Sequence, residues 1–248
     1  MAQDARDLLE ARLRDHIRLS QRRPSFLGFL DESQCAACED LLRRERGVQW
    51  LLWGGWPEGE RKLLGLFPDY LKPEESLFPI TPVTFTYRTG DKLTHRDFLG
   101  SFMALGVERD VVGDILVGEG RCVAFFRQEM APYFLDNIRK IGRVGVKAEE
   151  GAKEPLPVRR EFKEISGVVA SQRLDCLVAF LCKTSREKAA GLITAGLVMR
   201  NHRESLSPSQ RTEEGDVLSI RGHGKFQIDR LGPLTSKGRL SVLCRKYQ

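Results

Sequence analysis

The sequence predicts an α+β chain in parts: a mainly helical N-terminal region over 1–75, a βαββαβ middle domain over 76–150, a linker and connecting arm over 151–170, and a small α/β domain over 171–248. Three observations predict it. Apolar residues recur at helical spacing near the start, where Leu8, Leu9, Leu13 and Ile17 line one face of 4–21. Short apolar runs alternate with helical patterns in the middle. Positive charge gathers at the end: 173–248 holds 14 Lys/Arg against 7 Asp/Glu, a net of +7. Subtraction from the totals of 40 and 34 leaves 26 against 27 before it, a net of −1. A phosphate-binding segment looks like this, although Lys and Arg also keep a small domain soluble.

The totals bound the class. At 248 residues with ordinary composition, one or two globular domains are expected. No apolar run approaches the roughly 20 residues of a membrane-spanning helix. The start, Met1-Ala2-Gln3-Asp4-Ala5-Arg6-Asp7, lacks the apolar core of a secretory signal. A cytoplasmic protein without membrane partners is expected. Cysteines at 35, 38, 122, 176, 182 and 244 are scattered, mostly in apolar patterns. Cys35 and Cys38 have metal or redox spacing, but they lie in a helical pattern and no second pair follows at zinc-finger spacing. They read as buried reduced thiols, with neither metal nor cofactor.

In order along the chain, Arg18, Arg22 and Arg23 close the first helix where positive charge suits the dipole, and Pro24 ends it. Phe26, Phe29 and Leu30 form an apolar link. Asp31 and Gln34 make a capping box for a helix reaching about residue 45. The run 48–53 reads as a buried strand, broken by Gly54-Gly55-Trp56-Pro57 and followed by a short helix over 58–66. A glycine pair before a helix can hold an anion, but without a nucleotide-loop context a tight turn is the simpler explanation.

The polar stretch Lys72-Pro73-Glu74-Glu75-Ser76 marks a boundary. Strand 79–87, helix 95–105, strands 113–118 and 121–126, helix 128–140 and strand 143–148 follow. This is the order of ferredoxin-like and RRM domains. Thr94 and Asp97 cap the first of these helices, and Gly118-Glu119-Gly120 suits a hairpin. RRM domains stack bases on exposed sheet aromatics. Here Phe85, Tyr87, Phe125 and Phe126 are read as core, and the RRM signature is absent. His95 and Arg96 face solvent or RNA, since no third group orients the histidine for catalysis.

Residues 148–157 are rich in Glu, Lys, Gly and Pro, and 158–170 alternate like a strand arm. A short helix, 174–181, precedes a second, 186–195, with Ser185 as N-cap and Gly196 past its end. Strands are expected at 197–200, 217–221, 225–230 and 239–244. Backbone N–H groups and the dipole at the second helix's start favour phosphate oxygens, and Arg186 and Lys188 add Coulomb attraction. Arg173, Arg203, Arg221, His223, Lys225, Lys237 and Arg239 extend the same surface.

The Arg173-Leu174-Asp175 opening, the Ser185-Arg186 helix start, the Ile193-to-Val198 glycine turn and Gly215-Asp216 before a strand resemble the S4 RNA-binding domain. The tail Ser219-Ile220-Arg221-Gly222-His223-Gly224-Lys225-Phe226, with Thr235-Ser236-Lys237-Gly238-Arg239, is similar to the YlmH family of bacterial S4 proteins. Gly54, Gly55, Glu60 and Arg61, Thr94 to Gly100 and Val112 to Val117 extend that resemblance through the earlier domains. One departure is Met199-Arg200-Asn201-His202-Arg203, where the family carries a Val-Asn-x-Lys turn. Asn201 is retained as a candidate RNA-binding residue and Arg203 supplies the charge.

The resemblance implies a helical start, an RRM-like middle and a C-terminal S4 domain. It also implies association with large ribosomal subunits still carrying peptidyl-tRNA, in translation quality control; a monomeric, non-catalytic protein that docks on rRNA and tRNA is expected. The competing class is an RNA-modifying enzyme or its accessory subunit, since pseudouridine synthases also carry S4 domains. Those enzymes have Gly-Arg-Leu-Asp, with Asp as nucleophile. This chain has Gly238-Arg239-Leu240-Ser241 and offers no alternative Ser/His/Asp set. A cell-division-associated RNA-binding role is a third, weaker reading.

Overall fold

Apolar spacing in the first helix, α1 (Ala2–Ser20), buries Leu9 and Leu13 but leaves Leu8 62% exposed, so its inward stripe is narrower than the sequence pattern suggests. Strand β1 (Ser25–Leu30), helix α2 (Glu32–Leu42), β2 (Gln49–Trp53) and β3 (Lys62–Phe67) follow. Helix α2 opens on the expected capping box: the Gln34 N–H donates to the Asp31 carboxylate at 2.8 Å and the Asp31 N–H to the Gln34 amide oxygen at 2.9 Å. The strands form an antiparallel sheet in the order β1-β3-β2. The computed structural model describes residues 2–45, 47–158, 162–234 and 238–247. The chain divides into two units, Met1–Arg159 and Arg160–Gln248.

Two expectations for the N-terminal region are corrected. The apolar link at 26–30 is strand β1, and the helix expected over 58–66 is strand β3. The reason is two-sided burial. Along β3, Leu64 and Leu66 pack with α1 and α2, whereas Leu63 and Phe67 pack on the opposite face with Phe29, Trp56 and Phe78. That period-2 division needs a strand, and a run apolar on both faces carries no periodicity to reveal it.

The middle of the chain holds β4 (Ile80–Thr86), α3 (His95–Met103), β5 (Val112–Gly118), β6 (Arg121–Arg127) and α4 (Ala131–Asn137). A hairpin of β7 (Lys140–Ile141) and β8 (Val144–Gly145) then leads to β9 (Lys147–Glu150). The sheet order β5-β6-β4-β9, antiparallel throughout, matches the predicted βαββαβ arrangement. Helix α4 is shorter than expected, with Ile138 leaving helical geometry at its C-cap. Along β6, Cys122, Ala124 and Phe126 pack under α3 and α4, while Val123 and Phe125 pack against Phe29, Trp56, Leu63 and Phe67. Both faces of this sheet are therefore covered. Buried Asp114 ties the two sheets together, accepting from Trp56 Nε1 at 2.9 Å and from the N–H groups of Glu60 and Arg61 at 2.8 and 2.9 Å.

The second unit begins with β10 (Phe162–Val169), then α5 (Leu174–Leu181), α6 (Arg186–Thr194), β11 (Val198–Arg200), β12 (Arg203–Glu204), β13 (Val217–Ile220), β14 (Gly224–Leu234) and β15 (Leu240–Tyr247). One six-stranded sheet has the order β10-β15-β14-β13-β11-β12. The stretch 158–170, expected as a connecting arm, is over Phe162–Val169 the edge strand of this sheet, paired residue by residue with β15. Leu174, Leu177, Val178 and Leu181 on α5 and Ala189 and Ile193 on α6 close the core over Leu218, Phe226, Ile228, Val242 and Cys244. Burial pushes the thiols of Cys35 and Cys38 up to about 12, so neither ionises near neutrality. Among the described residues, no helix is long and apolar enough to cross a membrane.

Candidate RNA-binding site

The start of α6 is built as its sequence suggests. Ser185 is the N-cap, and its hydroxyl accepts from the Lys188 N–H at 3.2 Å. Under it lies Asp175, 4% exposed, on the first turn of α5. Arg173 reaches this carboxylate with Nε and Nη2 at 3.1 and 2.9 Å, and Arg186 with Nε at 3.0 Å. Burial acts to raise the Asp175 pKa, but hydrogen bonds from the two guanidiniums outweigh it and hold the carboxyl at about 2. The side chains of Arg173 and Arg186 remain 41% and 54% exposed. Each has five N–H donors, so both keep donors that Asp175 does not take. One buried carboxylate thus aims two cations at solvent beside a helix start.

A hollow of about 480 Å³ adjoins the same helix, lined by Lys183, Thr184, Lys188 and His223 among others. No sequence motif singles out Lys183. It ends α5 with φ +51°, while its N–H and that of Thr184 donate to the carbonyls of Phe180 and Ala179 at 3.2 and 3.0 Å. This is a Schellman motif with lysine at the station that glycine usually holds. Gly196 fills the same station after α6, with φ +69°. A non-glycine residue in that region costs about 1 kcal/mol, so the lysine is placed at some expense. Lys246 adds a further cation, close enough to Cys182 in the hollow wall to oppose the rise that burial causes in its thiol pKa.

The remaining candidates divide. Arg221 and His223 are exposed on the turn between β13 and β14. Asn201 and His202 form the turn between β11 and β12 with φ +50° and +65°, the two positive values of a type I′ hairpin. Asn201 donates to Asp216 at 2.7 Å and accepts from the Val217 N–H at 2.9 Å, so both ends of its amide are engaged within the fold. Arg203 is exposed one residue further on, and its neighbour Glu204 lies against Gly196, at the far end of α6 from Ser185. Lys225 alternates with buried Phe226, which puts it on the sheet face away from the helices, with Nζ 5.2 Å from the Tyr247 ring centroid. Arg239 is exposed just before β15, and Lys237 lies outside the described residues. The structure therefore brings Arg173, Ser185, Arg186, Lys188 and His223 to one end of α6, with Lys183 and Lys246, and spreads the others.

The middle domain offers no aromatic platform of the RRM kind. Phe85, Phe125 and Phe126 are at most 1% exposed, and the Tyr87 hydroxyl donates to the Gly118 carbonyl at 2.6 Å. His95 and Arg96 are exposed at the start of α3.

Comparison with known proteins places the chain in a family. A family profile described as "Putative RNA-binding domain in YlmH" matches residues 73–154. The "Ribosome-associated protein quality control protein P2" of Bacillus subtilis (strain 168) is 33% identical over 193 residues, covering 76% of this chain and 74% of that protein. A solved structure, "Cell division protein ylmH from Streptococcus pneumoniae", is similar at 30% identity with a TM-score of 0.48, over 60% of this chain and 88% of that one. On the identity and extent of the Bacillus match and the profile inside it, the chain belongs to the YlmH family of RNA-binding proteins.

Proposed function

We propose that this protein is a non-catalytic, monomeric RNA-binding factor of the cytoplasm, docking on folded ribosomal and transfer RNA of large ribosomal subunits that carry peptidyl-tRNA. The observation that carries the reading is the pair Arg173 and Arg186, both fixed by buried Asp175 beside the Ser185 cap. Phosphate oxygens satisfy the guanidinium donors left over, and the helix start adds oriented N–H groups. Lys183, Lys188 and His223 extend the contact into the hollow. A contact made to phosphates reads the shape of folded RNA and not a base sequence. The name of the Bacillus relative supports a place in ribosome-associated quality control. A factor of this kind acts through differential affinity, holding one state of the ribosomal complex in preference to others.

The modifying-enzyme reading has less support. Ser241, where related synthases carry a nucleophilic aspartate, sits in β15 opposite Val168, and its hydroxyl donates to the Pro233 carbonyl at 3.5 Å. That is a sheet position, built into the ladder.

The experiment is a salt titration of RNA binding by the full chain and by the double variant Arg186→Ala/Lys188→Ala. Each lost phosphate contact should flatten the log–log salt dependence by about one unit. An unchanged slope would remove both residues from the contact.

A further inference from the structure

We propose that the hairpin β7–β8 of the middle domain is a second RNA contact, directed at the phosphates of folded RNA. It goes beyond the S4 site and stands on different residues. The segment 73–154 matches a profile described as RNA-binding, yet the sheet face on which RRM domains stack bases is closed by Val123 and Phe125 packing into the N-terminal sheet. Nor is the segment basic. It holds 11 Lys/Arg against 13 Asp/Glu, a net of −2. Four of those cations (Arg139, Lys140, Arg143 and Lys147) fall within nine residues that contain no acid, a net of +4. The remainder of the segment, 7 against 13, is at −6. The densest positive charge of this acidic segment lies on the β7–β8 hairpin, with Lys140 and Arg143, and its two flanks, with Arg139 and Lys147.

A run of lysines and arginines is often only a solvated face, and three observations argue for more. The hairpin is held firmly: Ile141 is fully buried in the core under α3, the Val146 N–H donates to the Arg139 carbonyl at 3.0 Å, and the Gly142 N–H to Ser101 Oγ at 3.4 Å. Its turn is two residues long, with Gly142 at φ +57°, so the tip has little freedom.

The charges differ in their commitments. Arg139 donates to the Leu135 carbonyl at 2.6 Å and Lys147 pairs with Glu149 at 2.6 Å. Lys140 and Arg143 are exposed and make no ion pair among the described residues. Finally, a Cβ built on Gly142 or Gly145 would meet nothing within 4 Å, so a phosphate backbone can come close to the hairpin's own. With no aromatic on the hairpin, the contact it offers is to phosphates.

The test uses the full chain and two probes, deacylated tRNA and purified large-subunit ribosomal RNA. Lys140→Ala/Arg143→Ala should bind at least one probe several-fold more weakly at physiological salt, and its salt slope should fall by one to two units. The charge-keeping Lys140→Arg/Arg143→Lys should bind like the parent. In the Arg186→Ala/Lys188→Ala background the hairpin loss should appear in full, which separates failure of this inference from failure of the S4 reading. Photo-crosslinking from position 140 of the otherwise unsubstituted chain on ribosomes does not depend on how the alanine variants fold. RNA in that crosslink supports the proposal. A crosslink to ribosomal protein alone, or alanine variants with parental affinity and slope on both probes, overturns it.

Discussion

Asp175→Asn separates geometry from charge at the candidate site. The Asp175 carboxyl is held at about 2, below its ordinary 3.8, by the hydrogen bonds from Arg173 and Arg186. At 1.36 kcal/mol per pKa unit this corresponds to roughly 2 kcal/mol. Its partners Arg173 and Arg186 are 41% and 54% exposed, and solvent screening reduces the stabilisation to about 1–2 kcal/mol. Because the folded pKa is the lower one, this stability is fully present above about pH 4 and is lost as pH falls toward 2.

The variant lacks it at neutral pH, and its difference from the parent should close within that acid window. All three tryptophans (Trp50, Trp53 and Trp56) lie in the first unit, so their fluorescence does not report on this change. Hydrogen exchange does: the slowest amides of α5 and α6 should exchange about 5- to 30-fold faster at pH 7. RNA binding then decides the mechanism. The substitution removes one negative charge and raises the basic segment from +7 to +8, so charge alone calls for tighter binding. If Asp175 works by fixing two guanidiniums, binding weakens despite the added charge. A variant with parental exchange rates and tighter binding would refute the reasoning.

Three further outcomes follow from named contacts. Lys183→Gly should relieve the positive-φ strain and slow exchange in α5 by an amount worth about 1 kcal/mol while weakening RNA binding; parental affinity would show that the lysine has no part in the site. Asp114→Ala leaves three donors from Trp56, Glu60 and Arg61 without their acceptor, and urea unfolding followed by tryptophan fluorescence should show a loss of about 3–5 kcal/mol; a loss under about 1 kcal/mol would mean that the joint between the sheets does not depend on it. Asn201→Ala should destabilise the second unit by about 2 kcal/mol and Asn201→Gly by roughly half as much, because glycine keeps the φ of +50° and loses only the hydrogen bonds; equal costs by hydrogen exchange would contradict that division.

Much of this was legible in the sequence wherever one face of an element meets water. The capping boxes at Asp31 and Thr94, the βαββαβ order and the Ser185 cap depend on local spacing, and they stand as read. Strand β3 was not legible. Lys62–Phe67 is buried on both faces, so its apolar run carries no period, and a preceding glycine turn made it look like a helix start. Phe125 reads as core from the sequence, but nothing local says that its cover is the N-terminal sheet, with Phe29, Leu63 and Phe67. In the sequence Asp175 belongs to a motif that does not disclose its task. Only the fold brings Arg173, two positions away, and Arg186, eleven away, to one carboxylate. Lys183 could have been found only by knowing that α5 stops at Leu181, which makes its station the one that calls for a left-handed residue.

The central claim is tested most directly by sedimenting the full chain with purified ribosomal particles. Binding should rank large subunits carrying peptidyl-tRNA above empty large subunits, with small subunits lowest. Arg186→Ala/Lys188→Ala should move into the unbound fractions while its α5 and α6 amides stay protected from exchange. Equal co-sedimentation of parent and variant with all three particles would contradict the account, leaving a basic protein that binds RNA without preference.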